Sequence, residues 1–97
     1  MTKKQRETLA YLGEPYRLQR IDLEDCIYRD LGNGYDIEVS GLRKPMKRGT
    51  YCNFVCVWDV SHGKNQAARS VEYVRDIKSL EHLKLVLDDL VEKYTML

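Results

Sequence analysis

The stretch Cys26-Ile27-Tyr28-Arg29-Asp30-Leu31-Gly32-Asn33-Gly34-Tyr35-Asp36-Ile37-Glu38-Val39-Ser40 decides the fold. Its second half alternates without a fault, Tyr35, Ile37 and Val39 against Asp36, Glu38 and Ser40. That is the period of two expected of a strand covered on one face. Asn33-Gly34 tolerates the positive φ angles of a tight reversal. Two registers compete. A two-residue turn sets Arg29 opposite Glu38 but puts Asp30 on the apolar face beside Ile37. A three-residue bulged turn aligns Ile27 with Val39 and Leu31 with Tyr35, and it faces Asp30 with Asp36. Burying a charge costs more than an exposed like-charge pair, so the bulged turn is expected. Tyr28 then falls on the outer face of the hairpin, opposite Glu38.

Downstream of the hairpin, Tyr51 to Val60 reads as a central strand. Its even positions Cys52, Phe54, Cys56, Trp58 and Val60 are all apolar, and its odd positions are mixed. Phe54 and Trp58 are therefore expected in the core beneath the C-terminal helix. Tyr51, Val55 and Val57 are left on the other side without obvious cover. An apolar stripe of that kind meets a partner, a second copy of the chain, or the N-terminal helix. Arg69 to Ile77 reads as a further strand, and Tyr16 to Ile21 as a short strand or a docked extended arm. Asp22-Leu23-Glu24-Asp25 reads as an acidic turn between that segment and the hairpin.

Helices close both ends. Lys3 to Leu12 follows the capping residue Thr2 and stops at Gly13, with Pro15 beyond. After Ser79, the residues Leu80, Leu83, Val86, Leu87, Leu90, Val91 and Tyr94 recur at steps of three and four. They build one apolar stripe made to lie across a sheet. The expected fold is α+β. A single domain over residues 1–97 carries an antiparallel sheet of three to five strands, flanked by a short N-terminal helix, with the longer C-terminal helix on one face.

Composition bounds the rest. The chain has 97 residues, of which 43% are hydrophobic and 32% charged, so it belongs neither to disordered chains nor to membrane-embedded ones. Sixteen Lys and Arg against fifteen Asp and Glu leave a formal charge of +1, which excludes a strongly basic or acidic binder by net charge alone. The charge is nevertheless uneven. Residues 21–42 hold one basic and six acidic side chains, and residues 43–75 hold seven basic and two acidic. A dipolar surface of this kind steers charged partners. No apolar segment reaches the ~20 residues of a membrane span, and no apolar run follows the cations of Met1-Thr2-Lys3-Lys4-Gln5-Arg6-Glu7. Cys26, Cys52 and Cys56 are an odd number, and on one strand the last two lie about 13 Å apart, too far for a bridge or a shared metal. They read as small buried hydrophobes, and the expected location is cytoplasmic.

No catalytic, metal or nucleotide motif is present, and no cofactor is expected. His62 and His82 are the only histidines, short of the three or four ligands a zinc site needs. His62 stands near Asp59 and Ser61 in sequence, which does not assemble a triad. Asp88 and Asp89 point different ways on a helix. The expectation is a non-enzymatic interaction module binding a protein partner stoichiometrically. Tyrosine and arginine anchor such interfaces, and seven tyrosines exceed what a small core satisfies. The candidate contact residues are Tyr28, Tyr51 and Arg69, with Arg43, Lys44, Lys47 and Arg48 of the basic loop. A nucleic-acid binder using that loop and Arg69 is the first alternative, since cations beside aromatics suit phosphates and bases. The loop at the far end of the strand, with His62, Lys64, Asn65 and Gln66, adds to it without forming one patch. A structural homodimer is the second.

In scale and texture the chain resembles small accessory proteins of bacteriophages and other mobile elements. Inhibitors of host defence nucleases, anti-CRISPR proteins included, are among them. The likeness is one of kind, carried by dense charge, many tyrosines and the missing catalytic constellation. It implies contact through the basic Arg43–Arg48 loop and the acidic Asp22–Glu38 region.

Overall fold

The computed structural model describes residues 1–21, 23–61 and 67–96. In chain order the elements are α1 (Lys3–Leu12), β1 (Arg17–Ile21), β2 (Glu24–Asp30), β3 (Tyr35–Ser40), β4 (Phe54–Asp59), β5 (Arg69–Val74) and α2 (Leu80–Thr95). The strands form one antiparallel sheet in the order β1-β2-β3-β4-β5, so each pairs with its neighbour in sequence. The fold is α+β, with all five strands present.

Local chemistry explains the boundaries. Thr2 and Gln5 form a capping box at the start of α1, each side chain accepting from the other's backbone N–H. Gly13, at φ 72°, ends the helix and donates to the Leu9 carbonyl at 2.8 Å. Ser79 caps α2 through the His82 N–H. The hairpin takes the bulged register, with Ile27 opposite Val39 and Asp30 opposite Asp36. Leu31 N–H closes the turn on the Tyr35 carbonyl, and the Asn33 amide donates to the Tyr94 carbonyl at the end of α2.

Two strands are shorter than their apolar patterns suggest. Tyr51 and Asn53 leave the ladder, their N–H groups donating to the carbonyls of Ile77 and Ser40. Beyond Val74 the chain turns through Asp76, at φ 60°, and drops Ile77 into the core.

The facing of β4 corrects the sequence expectation. Ile37 pairs with Val57 and Val39 with Val55, and all four side chains are fully buried. They lie in one cluster with Leu83, Leu87, Leu90 and Tyr94 of α2. Phe54, Cys56 and Trp58 therefore point to the opposite side. Directly opposed residues share a face, so the inward set of β3 dictates the odd positions of β4. Leu9 and Leu12 of α1 pack against the same cluster, which puts both helices on one side of the sheet.

A polar clasp fastens α2 to the edge strand. Glu72 of β5 accepts from the Tyr94 hydroxyl and from the Lys93 ammonium, both at 2.7 Å. These two hydrogen bonds hold its carboxyl below the ordinary value of 4.5. A depressed carboxylate contributes stability above its unfolded pKa and loses it as pH falls through the folded one. Glu72→Gln is expected to lower the unfolding free energy by about 1 kcal/mol at neutral pH. The difference should vanish below the glutamate range, as urea melts at several pH values would record.

Candidate functional site

Side chains on the helix-free side of the sheet fall into two rows across the strands. One row runs Arg17, Tyr28, Glu38, Cys56, Tyr73, and the next runs Asp30, Asp36, Trp58, Ser70. Phe54, opposite Ser40, extends the aromatic set. Among the described residues neither helix lies over this face.

Aromatic rings form its outer layer and small or acidic groups its floor. Phe54 and Tyr73 stack at 4.6 Å between centroids, and the Arg75 guanidinium lies 4.9 Å from the Tyr73 ring centre. Tyr73 is 44% exposed and Val71 likewise 44%, while Cys26 and Cys56 beneath are buried. Such rings present large, stiff contact area at small entropic cost.

The floor is acidic. Glu38, 6% exposed, accepts from the Trp58 indole N–H at 2.9 Å and from the Cys26 thiol at 3.6 Å. Asp36 takes the Tyr28 hydroxyl on Oδ2, whereas its Oδ1 is buried without a hydrogen bond. Burial pushes the Asp36 carboxyl above its ordinary 3.8; the Tyr28 hydrogen bond works against that shift and Asp30 adds to it. Arg17 also lowers it, by charge alone.

A raised carboxyl binds more protons folded than unfolded, so its ionisation costs stability as pH rises from 3.8 through the folded value. Asp36→Asn removes that cost and the repulsion with Asp30, while an amide oxygen still serves Tyr28. The variant is expected to gain about 0.5–1 kcal/mol at pH 7. Thermal melts should show the gain fading once the medium is acid enough to protonate the native carboxyl.

The thiols are unreactive by placement. Burial, then the charges of Glu38 and Glu24, raise Cys26 to about 12. Burial also raises Cys52, to about 11, against the neighbouring Lys4 charge. All three cysteines are free and buried. Among the described residues, no three His, Cys, Asp or Glu side chains are grouped so as to hold a metal ion. His82 has a structural task, its Nδ1 accepting from Lys78 N–H at the start of α2. His62, Lys64, Asn65 and Gln66 lie outside the described residues, as does Asp22.

The contact residues named from sequence are scattered. Arg43, Lys44, Lys47 and Arg48 are exposed in the loop that crosses one end of the sheet from β3 to β4. Lys47 is paired with Asp76 at 2.5 Å, and Arg43 lines a groove of about 300 Å³ with Arg20, Glu24 and Asp25. Met46 at the tip is 90% exposed. Arg69 is exposed at the opposite end of the sheet, across from Asp59. Tyr28 lies on the open face, half-buried with its hydroxyl on Asp36.

Tyr51 requires a correction, since it does not line that face. Its hydroxyl shares a hydrogen bond of 2.6 Å with Thr8, and the Lys4 ammonium lies 4.3 Å from its ring centre. It packs against α1. Val55 and Val57, expected to be uncovered, are sealed under α2. Sequence reading set Asp36 and Glu38 on the outward side of β3, as the structure has them. It placed Phe54 and Trp58 in the core and did not single out Tyr73, and all three lie on this face.

A scan against family models returns no match, and searches of curated proteins and of solved structures return none. What the fold and the face define is a class: a five-stranded meander sealed by helices on one side and presenting aromatics and carboxylates on the other. None of its helices is long and apolar enough to cross a membrane, among the described residues.

Proposed function

We propose that the chain is a non-enzymatic interaction module that binds a protein partner stoichiometrically through the open face of its sheet. One observation carries this reading. Phe54, Trp58, Tyr28 and Tyr73 share a sheet face that neither helix covers. Aromatics clustered on a plate are the side chains that dominate protein interfaces. The size and charge texture of the chain support one form of the activity, inhibition of a host defence nuclease by a phage- or mobile-element-encoded protein. The three unbridged thiols support a reducing compartment, the cytoplasm.

The test is capture from extracts of the native host by the tagged chain, with the captured protein identified and the complex weighed by light scattering. A 1:1 complex that Tyr73→Ala weakens and Leu85→Glu leaves intact is expected, because Leu85 stands 65% exposed on the outside of α2. Equal capture by both variants contradicts the open face. A doubled mass for the chain alone replaces the reading with a homodimer.

A second reading has its own observation. Phe54 and Tyr73 border a groove of about 310 Å³ that Lys47 and Arg75 also line, the combination that stacks bases beside phosphates. It predicts a single-strand affinity whose logarithm falls with log salt at about 0.7 per phosphate contact. Absence of any mobility shift at low salt ends it. The carboxylates of the same face repel phosphate, which favours the protein partner.

A further inference from the structure

We propose that Asp30 and Asp36, flanked by Tyr28 and Trp58, form a receptor for a cationic side chain, arginine or lysine, of the protein partner. This rests on the open face being the docking surface and names the chemistry it recognises.

Four observations converge. Asp30 and Asp36 stand directly opposite one another on neighbouring strands, an arrangement that costs stability unless something separates the charges. Asp36 is only 9% exposed, yet its Oδ1 has no hydrogen-bond partner. A buried acceptor without a donor calls for a physical explanation, and a bound cation is one. Asp30 is exposed at the mouth of the site, with Oδ1 accepting from the Gly32 N–H. Neither aspartate forms an ion pair among the described residues.

The groups facing Asp36 set the ligand's sign. From β2 come Tyr28 and Asp30, from β3 Glu38, from β4 Trp58 and from β1 Arg17. Arg17 borders the site without pairing to either aspartate: its guanidinium lies 5.2 Å from the Tyr28 ring centre and donates to Gln19 Oε1 at 3.2 Å, and its charge acts on Asp36 from there. Glu38 is served by neutral donors, the indole and a thiol. The local balance is three carboxylates to one cation. An incoming guanidinium pairs with the exposed Asp30 at the mouth and lies against the Trp58 ring. It reaches Asp36 Oδ1, sealed from solvent in the free chain, as the side chains over that oxygen part, and supplies the hydrogen bond it lacks.

The experiment follows the one tryptophan of the chain, whose indole N–H gives a single resonance beside the site. Nitrogen-15-labelled protein is titrated with a nona-arginine peptide, and a nona-citrulline peptide serves as the neutral control. The indole resonance is expected to shift saturably with arginine and to stay still with citrulline. Asp36→Asn and the exposed Asp30→Asn should each weaken the peptide about tenfold. An unmoved indole with shifts on the acidic outer face of α2, or unchanged affinity in both variants, overturns the receptor. If that happens while Tyr73→Ala still weakens partner capture, the docking face survives and the cationic ligand fails. If capture also proves insensitive to Tyr73, both readings fall together.

Discussion

Leu87→Ala is expected to remove about 3 kcal/mol of unfolding free energy. Leu87 is fully buried at the middle of α2, in the cluster that holds Ile37, Val39, Val55 and Val57. Truncation deletes three carbon atoms from the one layer that joins helix to sheet and leaves a cavity that packed neighbours refill poorly. A 97-residue domain has few kcal/mol to spare. The midpoint should fall by more than 10 °C, at roughly 4–8 °C per kcal/mol. The exposed neighbour Leu85→Ala should change stability by less than about 0.5 kcal/mol. Calorimetry of the pair checks both, and equal losses would mean that α2 does not present this stripe to the sheet.

Tyr73→Ala should weaken the partner complex by about 2 kcal/mol, close to thirtyfold, with a smaller cost to folding. The ring is nearly half exposed on the edge strand, stacks on Phe54 and has the Arg75 guanidinium 4.9 Å from its centre. Losing the stack costs the fold about 1 kcal/mol. Affinity falls further, because an interface anchor forfeits both its contact area and the water it excludes. Titration calorimetry with the captured partner separates the two, since the variant remains folded at the assay temperature. An affinity unchanged within twofold removes Tyr73 from the interface.

Much of the architecture was legible in the chain. The alternation through Tyr35–Ser40 and the Gly32-Asn33-Gly34 reversal fixed both the hairpin and its bulged register, because only that register keeps Asp30 out of the core. The spacing from Leu80 to Tyr94 identified α2 and its buried side. The facing of β4 was not legible. Both sets of its residues are largely apolar, so alternation within the strand names no inner side. The deciding fact is long-range: Val39 meets Val55, and that pairing places the aromatics outside. Extending the hairpin's inward set across one more strand pair would have reached it, had the register been known. The idle oxygen of Asp36 has no sequence signature either, since it depends on where the Tyr28 hydroxyl is directed.

The basic loop shows a different limit. Four cations within six residues read as one patch, but the loop spans the full width of the sheet end. Arg43 stands by the β1–β2 corner and Lys47 by β5, each beside carboxylates. Density along the chain did not become density in space.

Hydroxyl-radical footprinting of the free, monomeric chain reads the sidedness of the sheet most directly. Oxidation is expected at Tyr73, Val71 and Trp58, with Val57, Leu83 and Leu87 protected, and protection should spread to the first three on complex formation. Tyr73 and Trp58 shielded as deeply as Leu87 in the free monomer would contradict an open face.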